Sequence, residues 1–275
     1  TEKQKRAWLP GMCSGTIIGA IAMTEPGAGS DLANIKTSAK QNKDKFLING
    51  QKTFISNGHI SDLVITACKT TPDVGAKGIS LLVVLRDDEG FSRGRNLEKI
   101  GWHAQDTAEL FYSDIEVTVD RMIGEENKGF TYLMQELAQE RLIVAIRAAT
   151  TIEAALEETI KYTKGREAFG KPLFSFQNTR FKLAEAKTNA TVVRSFIDQC
   201  TSLHLTQSLD ANDAAMAKLF ATETMCKVLD DCLQMYGGYG YMWEYPIARM
   251  WAGQRIARIA GGSSEIMKEI ISRTL

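Results

Sequence analysis

The sequence predicts an α+β chain, with a β-rich half up to about residue 128 and a helical half after it. Most of the 22 glycines lie in the first half, where they alternate at short intervals with runs of β-branched residues. Neither Gly nor Pro occurs in 130–164 or 173–236, and both stretches combine strong helix formers with a 3.6-residue apolar period. Short strands with frequent turns favour a small β-barrel or sandwich, and the uninterrupted stretches favour packed antiparallel helices.

Five segments of the first half predict strands because they are rich in β-branched and aromatic residues. They are 45–48, 54–56, 63–67, 79–85 and 109–117. Asn49-Gly50 predicts a hairpin after the first segment, since both central residues of a type I′ turn need positive φ. Asn57-Gly58 predicts a turn after the second. The polar, glycine-flanked segment 124–129 is expected to link the two halves, and the opening segment is an amphipathic piece without a packing partner.

Composition and charge argue against several classes of function. Lys+Arg and Asp+Glu both total 33, so the net charge is zero and nothing favours a nucleic-acid or acidic-membrane partner. No apolar run approaches the roughly 18 residues of a transmembrane helix, and the charged opening is not typical of a secretory signal. The five cysteines and three histidines form no cluster with metal-ligand spacing, so neither a metal site nor a disulfide framework is predicted. Redox chemistry would need an organic cofactor.

Three glycine-containing segments are candidate ligand sites. In 22–31, two glycines beside a hydroxyl and a carboxylate could let backbone amides converge on a polar ligand, although many such segments are plain turns. Segment 234–241 ends a helix and could be a glycine cap packed by aromatic rings. Segment 260–265 could be a loop with an N-cap, or a helix N-terminus that a ligand approaches closely.

Two charged residues are candidates for chemistry or binding. Glu140 lies on an otherwise apolar helical stripe. The other members of the stripe are Leu133, Leu137, Val144 and Ala148. On a buried stripe the Glu140 carboxyl would be desolvated and its pKa raised, whereas at the helix edge it would meet solvent or an arginine. Arg166 stands where a long helix ends, and it could cap helix carbonyls or bind a phosphate.

In order and spacing, these segments resemble one family, the acyl-CoA dehydrogenases. The matching segments are 23–31, 54–58, 139–142, 166–171 with Gln177, 234–240 and 262–266. The similarity covers nearly the whole chain, and it is strongest to long-chain members of the family through 124–129, 139–142 and 240–248. The resemblance implies a middle antiparallel β-barrel domain at 19–125 and a C-terminal four-helix bundle at 126–275. Residues 1–18 would be the remnant of an N-terminal helical domain, and the chain a fragment.

The resemblance also implies that FAD is the cofactor. The residues expected to hold the flavin ring are Ala22, Met23, Thr24, Gly29, Ser30, Phe54, Ile55 and Ser56. Those expected to bind the FAD of a neighbouring subunit are Arg166, Phe169, Gln177, Gln234, Gly237 and Gly238. Ser263, Ser264 and Glu265 are expected to contact the nucleotide again. Sites shared in this way imply a homo-oligomer, a dimer of dimers.

The implied substrate is a fatty acyl-CoA thioester. The residues expected along it are Ser30, Thr131, Arg141, Gly261 and Gly262. Many family members carry the catalytic Glu immediately before the glycine that matches Gly262, but Gly261 occupies that position here. Long-chain and isovaleryl-type members place the base at the position of Glu140, so the resemblance and the stripe indicate the same residue. Ala260 stands where related chains often have Tyr, which would loosen the pocket near the thioester.

The reaction implied by the resemblance is α,β-dehydrogenation to a trans-2-enoyl-CoA in fatty-acid β-oxidation, with electrons passed to electron-transferring flavoprotein. An acyl-CoA oxidase would use the same fold and pass electrons to oxygen. A non-catalytic bundle that only binds CoA or a partner chain is the alternative from another class. The family implies the mitochondrial matrix for a eukaryotic source and the cytoplasm for a bacterial one. Acyl chain length is not encoded in the generic apolar residues of the bundle.

Overall fold

A computed structural model describes residues 1–275 and contains a sheet and six α-helices, which confirms the α+β class. The residues divide into two compact units. The first unit comprises 1–99 and 103–135, and the second comprises 100–102 and 136–275. No helix has both the length and the apolar composition that crossing a membrane requires.

The first unit contains one helix followed by eight strands. They are α1 (Glu2–Ser14), β1 (Gly19–Ala22), β2 (Ser38–Asn42), β3 (Lys45–Ser56), β4 (Leu63–Lys69), β5 (Ile79–Leu85), β6 (Phe91–Asn96), β7 (Thr107–Thr118) and β8 (Met122–Ile123). The strands form one sheet in the order β6-β7-β3-β2-β4-β5-β8, and β1 pairs in parallel with β4. No hydrogen bonds join the end strands β6 and β8, so the ladder is not closed into a complete barrel.

The predicted strands at 63–67, 79–85 and 109–117 correspond to β4, β5 and β7, but the hairpin predicted at Asn49-Gly50 is wrong. β3 runs through these residues and shifts register against β7 between Ile48 and Gly50. A Cβ at Gly50 would collide with Thr37, so this glycine permits a close approach of the residue that precedes β2. The actual hairpin joins β2 to β3, where Lys43 has a φ of 57°. An isolated Asn-Gly pair does not distinguish a turn from a bulge.

The opening helix α1 has a packing partner, contrary to the prediction. Gln4 is buried, and its Nε2 donates to the backbone carbonyls of Asp120 at 2.9 Å and Met122 at 2.7 Å. Thr1 and Gln4 form a capping box at the start of the helix. A buried polar side chain therefore anchors α1, and apolar periodicity could not reveal such an anchor.

The second unit consists mainly of helices. They are α2 (Gly129–Gly165), whose first residues belong to the first unit, α3 (Gln177–Leu205), α4 (Ala211–Met235), α5 (Pro246–Gln254) and α6 (Ser264–Ser272). A small hairpin of β9 (Glu167–Ala168) and β10 (Lys171–Pro172) separates α2 from α3. The core contains many alanines, which let the helix backbones approach closely. The two stretches without Gly or Pro therefore correspond to helices: 130–164 lies in α2, and 173–236 contains α3 and α4.

A three-residue segment, 100–102, leaves the sheet unit and packs in the helical unit. A Cβ at Gly101 would lie 2.6 Å from the Cα of Gly253, so both backbones are in direct contact. The Trp102 ring covers Gly253, and the Arg147 guanidinium stacks 4.3 Å from the ring centroid. Glycine is required at both positions, because a side chain at Gly101 would collide with the Gly253 backbone and one at Gly253 would collide with the Trp102 ring.

Candidate functional site

In the first unit, the two segments predicted to hold the flavin ring lie side by side. The Thr53 amide donates to the Thr24 carbonyl at 2.9 Å, and Lys52 Nζ donates to the Met23 carbonyl at 2.9 Å. The loop that follows β1 is therefore fixed to the middle of β3. Of the predicted flavin residues, Ala22 and Ile55 are buried, Met23 and Thr24 are half-buried, and Gly29, Ser30, Phe54 and Ser56 are exposed.

Glu25 is a buried carboxylate that holds this loop in place. It accepts hydrogen bonds from Lys52 Nζ at 2.9 Å and from the amides of Thr37 at 2.9 Å and Lys36 at 2.5 Å. Glu25 and Ala28 also exchange both backbone hydrogen bonds across the loop. Burial by itself would raise the pKa of Glu25, but the Lys52 charge and the donated hydrogen bonds outweigh it and hold the pKa below its ordinary value.

Phe54 has a strained backbone and an exposed ring. Its φ is 59°, and the register of β3 against β7 shifts between Lys52 and Ile55. Its side chain is 67% exposed although it is a large aromatic residue. A non-glycine residue in the left-handed region costs free energy, and such strain is concentrated at binding sites. An exposed aromatic ring beside this loop fits the flat ring system of a flavin.

In the second unit, four predicted FAD residues line one groove with a volume of about 500 Å³. They are Arg166, Gln234, Gly237 and Gly238. The space around the two glycines is open, since a Cβ at either would meet no atom within 4 Å, and Gly237 has a φ of 58°. The Arg166 guanidinium lies 5.5 Å from the centroid of the Tyr239 ring. An arginine beside an open glycine backbone fits the phosphates of a dinucleotide.

Phe169 and Gln177 were also predicted at this site, but they do not line the groove. Phe169 lies at the tip of the β9–β10 hairpin with a φ of 53°, and its side chain is 94% exposed. Its ring contacts Phe176 edge-on, with 6.2 Å between centroids. Gln177 is the exposed first residue of α3. Both side chains are therefore available to a partner.

The structure brings together three of the residues predicted to bind substrate: Arg141, Gly261 and Gly262. Arg141 on α2 is buried, and its Nε donates to the Gly261 carbonyl at 3.4 Å. Burial lowers the pKa of Arg141. The two glycines have φ values of 69° and 99°, and the space beside Gly261 is open. Left-handed backbone at consecutive positions is accessible to glycine at little cost. Ser30 and Thr131, the other predicted substrate residues, are exposed in the first unit.

The residues after this turn begin α6. Ser263 is the N-cap, and its hydroxyl accepts from the Ile266 amide at 3.4 Å. Ser264 is buried and donates its hydroxyl to Glu223 at 2.5 Å, while Arg258 forms a two-point ion pair with the same carboxylate. Glu265 is exposed. The hydroxyls of Ser263 and Ser264 are therefore both used within the unit, which leaves the exposed Glu265 to contact a ligand.

Glu140 is exposed, which favours the position at the helix edge over the buried stripe. The buried face of α2 passes through Arg141, Leu142 and Ala145, so Glu140 lies at its edge. Partial desolvation still raises the pKa of Glu140, Glu136 raises it further, and Arg141 partly offsets both. The helical period places residues on a common face, but it does not say which part of that face the neighbouring elements cover.

Two buried lysines, Lys52 and Lys218, were missed by the sequence analysis. Lys52 falls on the inward face of β3 with Phe46 and Ile48, and Lys218 falls among the inward alanines of α4. A lysine on the apolar face of a strand or helix is the signal that could have identified them, because such a cation needs a partner.

Two family descriptions match the chain, one for each part. Residues 20–115 match the acyl-CoA dehydrogenase middle domain, and residues 127–275 match the acyl-CoA dehydrogenase C-terminal domain. The chain belongs to the acyl-CoA dehydrogenase family.

Similar proteins include bacterial and mammalian members of this family. The chain is 49% identical to the mitochondrial long-chain specific acyl-CoA dehydrogenase of Mus musculus, over 100% of the chain and 64% of that protein. It is 38% identical to an acyl-CoA dehydrogenase of Bacillus subtilis, of which it covers 72%. A crystal structure of acyl-CoA dehydrogenase from Geobacillus kaustophilus superimposes with a TM-score of 0.98 at 50% identity, covering 100% of the chain and 73% of that structure. The chain thus spans somewhat less than two thirds of the mouse protein.

Proposed function

We propose that the protein catalyses the α,β-dehydrogenation of fatty acyl-CoA thioesters. The observation that carries the proposal is the turn at Gly261-Gly262. Arg141 on α2 donates a hydrogen bond to this turn, and Arg141 is the residue that follows Glu140 in the sequence. No backbone hydrogen bond within the chain uses the amides of Gly261, Gly262 and Ser263. Amides free at an open turn can bind a thioester carbonyl oxygen, and the charge that develops there makes such donors effective.

In this proposal Glu140 removes the α-proton of the thioester. A carboxylate is a weak base for a carbon acid, and its raised pKa brings it closer to the strength that the step requires. The free amides of the Gly261–Ser263 turn would lower the pKa of the α-carbon by binding the carbonyl oxygen. Bound FAD would supply the two-electron acceptor for the β-hydrogen. The Glu25 loop and Phe54 would hold the flavin ring of that cofactor, and the Arg166 groove would bind the FAD of a neighbouring subunit.

The proposed substrate is a long-chain acyl-CoA, as in the name of the mouse relative. The proposed electron acceptor is electron-transferring flavoprotein, and the proposed assembly is a homo-oligomer in which subunits share FAD sites. The assembly is supported by two large aromatic side chains at the surface, Phe169 and Tyr241, which are 94% and 87% exposed. Aromatic rings this exposed favour a surface that another subunit covers. For a eukaryotic source, the mitochondrial relatives support a location in the matrix.

Anaerobic titration of the flavin-loaded protein with acyl-CoAs of graded length tests this function. We expect the flavin absorbance to bleach on addition of substrate, with the largest rate for long chains. An absence of bleaching with every chain length would contradict the dehydrogenase. Rapid return of the colour in air, without any added acceptor protein, would identify an oxidase instead.

We expect Arg166→Ala to weaken FAD retention more than it weakens the fold. Loss of a charge-assisted hydrogen bond to phosphate costs about 1.5–3 kcal/mol of binding free energy. Flavin occupancy after gel filtration measures the loss, and the melting temperature of the flavin-free protein measures the fold. Arg180→Ala, which removes an exposed arginine outside the groove, is the matched control. Equal flavin occupancy in the two variants would contradict the assignment.

A further inference from the structure

Lys218 is a fully buried cation without a carboxylate partner. Its side chain is 0% exposed on α4, among Ala214, Ala217 and Ala221. Its Nζ donates to the Gly262 carbonyl at 2.6 Å. Burial lowers the pKa of Lys218 to about 8, with a further contribution from Arg141, while Glu223 and Glu265 partly offset this as more distant charges. Burying an ammonium group in this way opposes folding, so stability does not explain a lysine at this position.

The hydrogen bond of Lys218 fixes the direction of a peptide group. In a trans peptide the carbonyl and the amide point in opposite directions, and the chain contains no cis peptide. The Gly261 carbonyl faces Arg141 and the Gly262 carbonyl faces Lys218. The amides of Gly262 and Ser263 therefore point away from the two cations, and neither donates a backbone hydrogen bond within the chain.

The beginning of α6 does not need Lys218 to hold it. Ser263 already caps the helix, and Ser264 and Arg258 both bind Glu223. Lys218 acts instead on the peptide group immediately before the cap. A cation bound to a carbonyl polarises the whole peptide and makes its amide a stronger donor.

We propose that Lys218 is a positioning residue for thioester binding, which orients the Gly261–Ser263 turn and, through the Gly262 carbonyl, strengthens the Ser263 amide as a donor to the thioester carbonyl. This inference rests on the proposed dehydrogenation. In this proposal the Lys218 charge on α4 does not touch the substrate, and it influences thioester binding only through the Gly262–Ser263 peptide group.

The test compares Lys218→Met with the parent in the flavin-loaded protein. The probe is cinnamoyl-CoA, whose absorption shifts to longer wavelength when donors polarise its thioester carbonyl. We expect Lys218→Met to retain flavin and to melt at the same or a higher temperature, because a costly buried charge is removed. The red shift of the bound probe should fall by at least half. Flavin reduction by acyl-CoA should slow on the order of 10- to 100-fold, less than the 10²–10³ typical of losing a donor outright.

Lys227→Met is the matched control, since Lys227 is exposed on the same helix. It should keep the red shift and rate of the parent. Lys218→Gln is a second variant, which keeps a hydrogen-bond donor but removes the charge, and it serves if Lys218→Met does not fold. The red shift of cinnamoyl-CoA bound to Lys218→Gln should also be smaller than in the parent. An unchanged red shift in either folded Lys218 variant would overturn the proposal. Failure of the parent itself to be reduced would instead refute the dehydrogenase function.

Discussion

Glu140→Gln is expected to fold, bind FAD and bind acyl-CoA. The rate at which acyl-CoA reduces its flavin should nevertheless fall by a factor on the order of 10²–10⁴. The substitution keeps the volume of the side chain and removes its ability to accept the α-proton. Because Glu140 is exposed at the edge of the buried face of α2, the change leaves the core intact. Stopped-flow measurement of flavin bleaching under anaerobic conditions gives the rate directly. Reduction within a few-fold of the parent would show that Glu140 is not the base.

Glu136→Gln is the matched control, because it makes the same chemical change four residues earlier on the same helix. Glu136 raises the pKa of Glu140, so its removal should lower that pKa. The fraction of Glu140 in the basic form rises with pH through its pKa. The acid limb of the rate profile should therefore move to lower pH in Glu136→Gln, while the plateau at higher pH stays within a few-fold of the parent.

Returning a carboxylate at Gly261 should restore part of the activity of Glu140→Gln. A Cβ at Gly261 would meet no atom within 4 Å, so the turn has room for a side chain. The φ of 69° imposes a cost of about 1–2 kcal/mol on any other residue, which limits the rescue. If the double variant Glu140→Gln, Gly261→Glu regains no activity, a side chain at Gly261 does not reach the α-carbon, and the assignment of Glu140 is unaffected.

Lys52→Met is expected to lower the free energy of unfolding by about 3–5 kcal/mol, because it leaves the Glu25 carboxylate buried without its counter-ion. Methionine fills a similar volume, so the loss comes from charge and hydrogen bonding. The hydrogen bond from Lys52 to the Met23 carbonyl is also lost, which should loosen the loop proposed to hold flavin. Urea denaturation measures the stability. Lys45→Met removes a half-exposed lysine of the same strand, whose ion pair with Glu116 lies at the surface, and should change the stability little.

The stability deficit of Lys52→Met should depend on pH in a defined direction. In the parent the pKa of Glu25 lies below its ordinary value, so its stabilising contribution is present above about pH 4.5 and is lost as pH falls through the folded pKa. Without Lys52 the pKa of Glu25 should rise, and protonation then relieves the unpaired charge. The difference from the parent should therefore be largest near neutral pH and narrow in acid. A deficit independent of pH would contradict the ion pair as its cause.

Much of the fold could be predicted because it follows from local pattern. The apolar runs of β4 and β5 and the helices without Gly or Pro carry their periodicity in the sequence. The features that were missed depend on contacts between distant residues. Gly50 resembles a turn residue until Thr37 is seen beside it, and α1 is anchored by Gln4, a polar side chain that no apolar pattern reveals.

The candidate site was predictable to the extent that it lies in contiguous motifs. Arg166 and Gly237 line one groove, and Arg141 reaches Gly261. The supporting residues Lys52 and Lys218 lie outside those motifs, in strands and helices that otherwise read as ordinary core. The sequence left both a buried and an edge position open for Glu140, since a helical period says nothing about which neighbours cover an edge.

The segment 100–102 has a consequence for dissecting the protein into fragments. A helical fragment that begins where the C-terminal family match begins, at residue 127, omits Trp102. Such a fragment would leave the surface of Gly253 and the Arg147 guanidinium without the ring that covers them. The missing piece is only three residues long and is far from the cut in sequence, so a short peptide containing it is a candidate for complementation in trans. The helical unit of the structure therefore includes residues 100–102, which the C-terminal family match does not contain.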